Sequence, residues 1–205
     1  EPDISYDKKG LYIKVQIKEG KRFKFGAVSI SGDSLKKPYG DLYASLQIKE
    51  GQHYNRESIV KDIDTLIQAC NDEGYAYADV DPRIDIKDKE QIVDVDYKII
   101  KGELVFINRI AISGNTITRD KVIRRQLAVV EGDLYSSSKL KQSYASLNRL
   151  RYFEEVDFQT ERGPENNKMN INVRVKEKNT GMFMIGAGYS AADQAVFMAQ
   201  VSQNN

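Results

Sequence analysis

Lys101-Gly102-Glu103-Leu104-Val105-Phe106-Ile107-Asn108-Arg109-Ile110-Ala111-Ile112-Ser113-Gly114-Asn115 repeats, in outline, an earlier stretch: Lys18-Glu19-Gly20, an apolar strand, then Ile30-Ser31-Gly32-Asp33. Both glycines recur 82 residues on, and Glu50-Gly51 with Tyr54 recurs 81 residues on as Glu131-Gly132 with Tyr135. Self-similarity of this kind marks repeated supersecondary units. A further segment occurs three times, as Val15-Gln16-Ile17-Lys18, Tyr97-Lys98-Ile99-Ile100 and Val173-Arg174-Val175-Lys176, each alternating like a half-buried strand. Its first copy precedes any complete unit. The chain therefore divides into the last strand of a preceding unit (1–20), two full units (21–100 and 103–178) and a tail (179–205).

Each unit has a legible order of elements. A first strand, with Val28 and Ile30 or Ile110 and Ile112 on one face, closes on a Ser-Gly turn. A short helix is expected over about 36–46 and again over about 118–128, the latter capped by Thr118. The second helix carries one apolar stripe, Ile59, Ile63, Leu66 and Cys70, or Leu140, Tyr144, Leu147 and Leu150, with Asn55 and Ser136 or Ser137 as caps. Two strands follow, joined by Lys87-Asp88-Lys89-Glu90 in one unit and Gly163-Pro164-Glu165-Asn166-Asn167 in the other. A helix pair with one apolar face needs a sheet to cover, so each unit is read as α+β, two helices on a three-stranded sheet. Val80, Ile84 and Ile86 are expected to face that core, as are Val156, Phe158 and Thr160. Pro82 lacks an N–H and places its strand at a sheet edge, leaving the last strand central.

Composition narrows the function. With 31 Lys and Arg against 30 Asp and Glu, the net charge of +1 lacks the basic excess of a nucleic-acid binder. The sole cysteine, Cys70, has no partner for a disulfide, and the sole histidine, His53, has too few companions for a structural zinc site. No apolar run approaches the roughly 20 residues of a membrane helix. The first residues, Glu1-Pro2-Asp3-Ile4, do not read as an export signal, which for an exported protein would lie outside this sequence. His53 reads as a solvated loop residue and Cys70 as a small core residue. Gly181 to Gly188 lack the Lys-Ser/Thr of a phosphate loop. No catalytic, metal or cofactor site is expected, and no enzyme activity.

The strand-helix-helix-strand-strand order, the Ser-Gly turns, Glu-Gly-x-x-Tyr before each second helix and Gly74-Tyr75-Ala76-Tyr77 after the first together resemble POTRA domains. The similarity is greatest to the last two POTRA domains of outer-membrane β-barrel assembly proteins. Leu147-Asn148-Arg149-Leu150 with Tyr152-Phe153 resembles the final domain, and Val175-Lys176-Glu177-Lys178-Asn179-Thr180-Gly181 its junction with the barrel. In the tail, Phe183, Ile185, Ala187 and Tyr189 alternate with Met184, Gly186 and Gly188, and Ala195, Phe197, Ala199 and Val201 alternate with Val196, Met198 and Gln200. Period-two segments of about 10 residues fit the first, truncated strands of a membrane barrel, or equally a soluble hairpin. The resemblance implies a periplasmic scaffold on the inner side of the outer membrane. Its implied partners are unfolded outer-membrane β-barrel proteins, assembly lipoproteins, periplasmic chaperones and the outer membrane itself, without nucleic acid. A related outer-membrane secretion transporter is the alternative, and an α+β RNA-binding module is an alternative of another class.

Surfaces are the candidate sites. An edge strand can pair with an extended polypeptide whatever its side chains. Pro82 interrupts the first edge, so the second, Glu155, Val156, Asp157, Phe158, Gln159, Thr160 and Glu161, is the better template, although its outward acids also guard an edge against aggregation. The helical part of the second unit is basic and its following strand acidic. With the resemblance, this marks Arg124, Arg125 and Glu131 as contacts for an accessory lipoprotein. Lys101 and Gly102 form a connector too short for free tumbling, hence a limited hinge.

Overall fold

The computed structural model describes residues 3–7, 10–14, 20–178, 181–190 and 194–203. In chain order, β1 (Asp3–Asp7) and β2 (Gly10–Lys14) form an antiparallel hairpin. The first unit follows as β3 (Lys24–Gly32), α1 (Tyr39–Ser45), α2 (Arg56–Asp72), β4 (Asp79–Lys87) and β5 (Ile92–Ile100). The second unit is β6 (Phe106–Ser113), α3 (Asp120–Arg124), α4 (Ser137–Arg149), β7 (Phe153–Arg162) and β8 (Lys168–Glu177). A closing hairpin pairs β9 (Gly181–Ser190) with β10 (Gln194–Gln203). The strand expected at Val15–Lys18 lies outside the described residues, as does the turn at Ala191–Asp193. Among the described residues no helix is long and apolar enough to cross a membrane.

The sheets are ordered β3-β5-β4 and β6-β8-β7. The last strand of each unit runs parallel to the first and antiparallel to the second, so it occupies the middle. Its alternation follows from that place: Val93, Val95, Tyr97 and Ile99 are buried under the helices, while Asp94, Asp96 and Lys98 take the other face. The Ser-Gly turns end the first strands for a steric reason. Gly32 and Gly114 have φ of +87° and +86°, and a Cβ at either would run into the carbonyl oxygen of Ile99 or Val175 on the central strand.

Several side chains take positions that periodicity did not assign. Ile84 and Ile86 are 44% and 62% exposed, although their cross-strand partners Val95 and Val93 are buried. The helix pair covers the central strand and the Val80 end of β4, leaving the far half of the edge open. Thr160 is likewise exposed, and Phe158 is half-buried at the margin of its core. On α4 the buried stripe is Leu140, Ser143 and Leu147, and Tyr144 is 48% exposed at the rim. Arg119, not Thr118, precedes α3, without a side-chain cap.

The polar member of each stripe has a shared purpose. Asp62 is fully buried on α2 and accepts hydrogen bonds from the Gln47 and Ile48 N–H groups and the Tyr97 hydroxyl. Burial and the adjacent Asp62 push the Tyr97 phenol far up. At the matching turn of α4, Ser143 accepts from the Ala128 N–H at 2.8 Å and donates to the Lys139 carbonyl. Both residues hold the loop that follows the shorter helix, where buried N–H groups would otherwise be unpaired.

Glu177 ends β8 and receives the loop before α3. Its carboxylate accepts from the N–H groups of Thr116, Ile117 and Thr118 and from the Thr116 hydroxyl, at 2.6 to 2.9 Å. Desolvation raises the pKa of this group, but those donors outweigh it and bring the carboxyl down to about 2. A depressed carboxylate stabilises the fold above its unfolded value near 4.5 and loses that contribution as pH falls towards 2. The acid limb of the second unit's denaturation should therefore lie in this window and flatten in Glu177→Gln. Asp62→Ala, which leaves two N–H groups without acceptors, should cost the first unit roughly 2–4 kcal/mol in chemical denaturation. Ser143→Ala should cost the second unit about 1 kcal/mol.

Candidate functional site

β7 has a strand on one side only, β8, among the described residues. Beside its other edge runs α4, and between them lies a groove of about 470 Å³ whose lining includes Leu140, Lys141, Tyr144, Phe158 and Thr160. Tyr144 and Phe158 meet edge to face, ring centroids 6.3 Å apart. An incoming strand pairing with β7 would place every second side chain over this apolar and aromatic floor. On the opposite face, Glu154 pairs with Lys176 at 3.1 Å; Asp157, which also borders the groove, accepts from the Gln159 amide at 2.8 Å. The seven residues expected to form the docking edge, Glu155 to Glu161, all lie within β7.

The corresponding edge of the first unit differs. Pro82 stands opposite Tyr97 in an unbroken ladder. Its ring nitrogen must then face away from β5, so the outer edge lacks a donor midway along. The exposed Ile84 and Ile86 make this edge more aliphatic than its counterpart.

Arg124 and Glu131 are brought together, but by the fold's own needs. Arg124 donates to the Asp120 carboxylate at 2.8 Å and the Ile110 carbonyl at 3.0 Å, and lies 3.7 Å from Glu131. Glu131 accepts the Ile110 N–H at 2.8 Å. The pair thus clamps both sides of Ile110, just past the register shift between Ile107 and Arg109 in β6. Arg125 is exposed at the end of α3. Breaking the clamp with Glu131→Ala should lower the second unit's stability by about 1 kcal/mol, read from its denaturation midpoint.

At the connector, Gly102 has φ of +70°, the Lys101 N–H donates to Asp33, and the Lys101 ammonium lies 4.8 Å from the Tyr75 ring centroid. The units also meet directly. The Val105 N–H donates to the Gly74 carbonyl at 2.8 Å, and the end of α2 abuts the start of α4 through Asp72 and Gln68. Ser136 and Ser137 carry a cap signal in the sequence, but nothing local signals that the serine run, Ser138 included, also binds the neighbouring unit.

His53 is exposed and bridges Lys24 through its backbone. Cys70 is fully buried, and burial first of all pushes its thiol up to about 11. Among the described residues no group of His, Cys, Asp and Glu is arranged to hold a metal. In the closing hairpin, Phe183, Ile185, Phe197 and Val201 share one face, and all are exposed, Phe197 by 80%.

The POTRA family model, described as a surface antigen variable number repeat, matches residues 23–102 and 105–178. The chain belongs to the POTRA family. It is 31% identical over its whole length to the outer membrane protein assembly factor BamA of Nitratidesulfovibrio vulgaris, covering 26% of that protein. It is 32% identical over 97% of its length to BamA of Neisseria meningitidis serogroup B, covering 25% of it. The chain thus spans about a quarter of these relatives. The crystal structure of Haemophilus influenzae BamA POTRA3-5 shares the fold at 19% identity, with a TM-score of 0.72 over 86% of this chain and 71% of that one. Haemophilus ducreyi BamA lacking POTRA domains 1-3 shares it at 24% identity, with a TM-score of 0.70 over 89% of this chain and 35% of that one.

Proposed function

We propose that the two POTRA units are the periplasmic scaffold of an outer-membrane β-barrel assembly factor, and that the second receives unfolded barrel proteins by strand addition at β7. The unpaired β7 edge beside its aromatic groove carries this reading. Backbone pairing accepts any extended chain, and a groove that takes alternate side chains favours the period-two pattern of barrel strands. The names of the curated relatives support the assembly role. The exposed apolar face of the β9–β10 hairpin fits a continuation into the outer membrane.

An assembly lipoprotein docks on the surface around Arg124, Arg125 and Glu131, periplasmic chaperones deliver the client, and Lys101–Gly102 gives the units limited freedom. Because Arg124 and Glu131 also clamp β6, the lipoprotein contact is best probed at exposed Arg125 alongside Glu131→Lys, with folding verified for each.

The strand-addition reading is tested by titrating the isotope-labelled chain with a peptide from an unfolded barrel protein and following amide shifts. Shifts concentrated in Glu155–Glu161 are expected. Shifts confined to β4 would refute it.

A further inference from the structure

Both walls of the α4–β7 groove are fastened to the first unit. On the α4 side, Asp72, the last residue of α2, accepts the Ser138 N–H at 2.9 Å, the Ser138 hydroxyl at 2.6 Å and the Ser136 hydroxyl at 2.8 Å. Ser136 is itself the cap of α4. A carboxylate from the neighbouring unit thus satisfies an end N–H of this helix and sits at the positive end of its dipole. One turn back on α2, the Gln68 amide donates to the Ser138 hydroxyl at 3.1 Å and its oxygen accepts from the Lys141 ammonium at 2.7 Å. Lys141 lines the groove. On the β7 side, the Arg162 guanidinium lies 4.7 Å from the Tyr77 ring centroid, two residues beyond groove-lining Thr160.

Between these anchors the joint is packed closely. Gly74 has φ of +102°, and a Cβ there would come within 2.9 Å of Leu134 and 3.1 Å of Leu104. Desolvation works against ionised Asp72, but the serine hydrogen bonds outweigh it and hold the carboxyl below its ordinary range. The clasp is therefore charged at neutral pH.

We propose that Gln68 and Asp72 are positioning residues for client binding in the second unit: they fix the start of α4 and the Lys141 side chain, and so set the width of a groove they do not line. The inference rests on the strand-addition reading. It makes the groove a property of the pair of units, because turning about Lys101–Gly102 has to break the same contacts that hold the α4 wall.

The test uses the full chain and, as probe, a synthetic peptide of the Gly181–Ser190 sequence. Affinity is measured from β7 amide shifts for the natural protein, Gln68→Ala, Asp72→Ala and Asp72→Glu. Each of the two alanine variants should weaken binding at least about fivefold, the scale of ordinary coupling between sites. Asp72→Glu should recover part of the loss, and residual dipolar couplings should show a changed inter-unit orientation in Asp72→Ala with each unit's core shifts preserved. Equal affinity across the series, with the natural protein binding at β7, would overturn the proposal. So would weakened binding accompanied by loss of the α4 amide dispersion, which would mark a folding effect. If the natural protein shows no β7 shifts, the strand-addition reading itself fails.

Discussion

In each unit the final strand inserts between the first two, and most of the molecule follows from that insertion. The two helices carry the chain from the first strand to the far edge, past the place the final strand will fill, and so cover one face of the sheet; a tight turn then brings the final strand into the middle. The central strand is then apolar on one side and polar on the other, as Val173 and Val175 against Arg174 and Lys176 show. The same insertion leaves the second strand of each unit with one neighbour among the described residues. An open edge is a direct result of the connectivity, and it persists however the surface residues change.

The two units meet the same polar demands with different chemistry. The loop after the shorter helix is held by a carboxylate in one, Asp62, and by a hydroxyl in the other, Ser143. The turn after the first strand is tied by its own Asp33 to the Ile99 carbonyl and the Lys101 N–H in the first unit. In the second it is tied by Glu177, reaching back from the last strand. What is preserved is the location of the unsatisfied backbone groups, since the fold creates them at the same points each time. The glycine of each Ser-Gly turn is preserved for a harder reason, as no other residue fits against the central strand's carbonyl.

Under the proposed strand addition, edge and joint belong together. A docking strand gains most from an edge whose companion groove is already shaped, because ordering the groove on binding would subtract from affinity. The clasp of Asp72 and Gln68 on the start of α4 supplies that order from outside the unit. The second helix of the second unit is shorter than that of the first, 13 residues against 17, and carries no counterpart of the Asp72 extension. The contact is thus directional, from the first unit to the second.

The linear pattern determined the repeat, the order of elements, the two α+β units and the central place of the last strand, because periodicity, glycine turns and a proline without a donor are local properties. It also located the β7 edge residues within their strand. Tertiary structure alone decided that Ile84 and Ile86 stand outside the core, that Asp62 lies inside it and Tyr144 at its rim, and that Arg124 and Glu131 clamp a strand. Each depends on how far a helix reaches across a sheet or on which carbonyl lies opposite, distances that no sequence period encodes. The serine run at the start of α4 shows the limit most clearly: its residues announce a helix start, but the carboxylate that completes it comes from 66 residues away, at the end of another unit's helix.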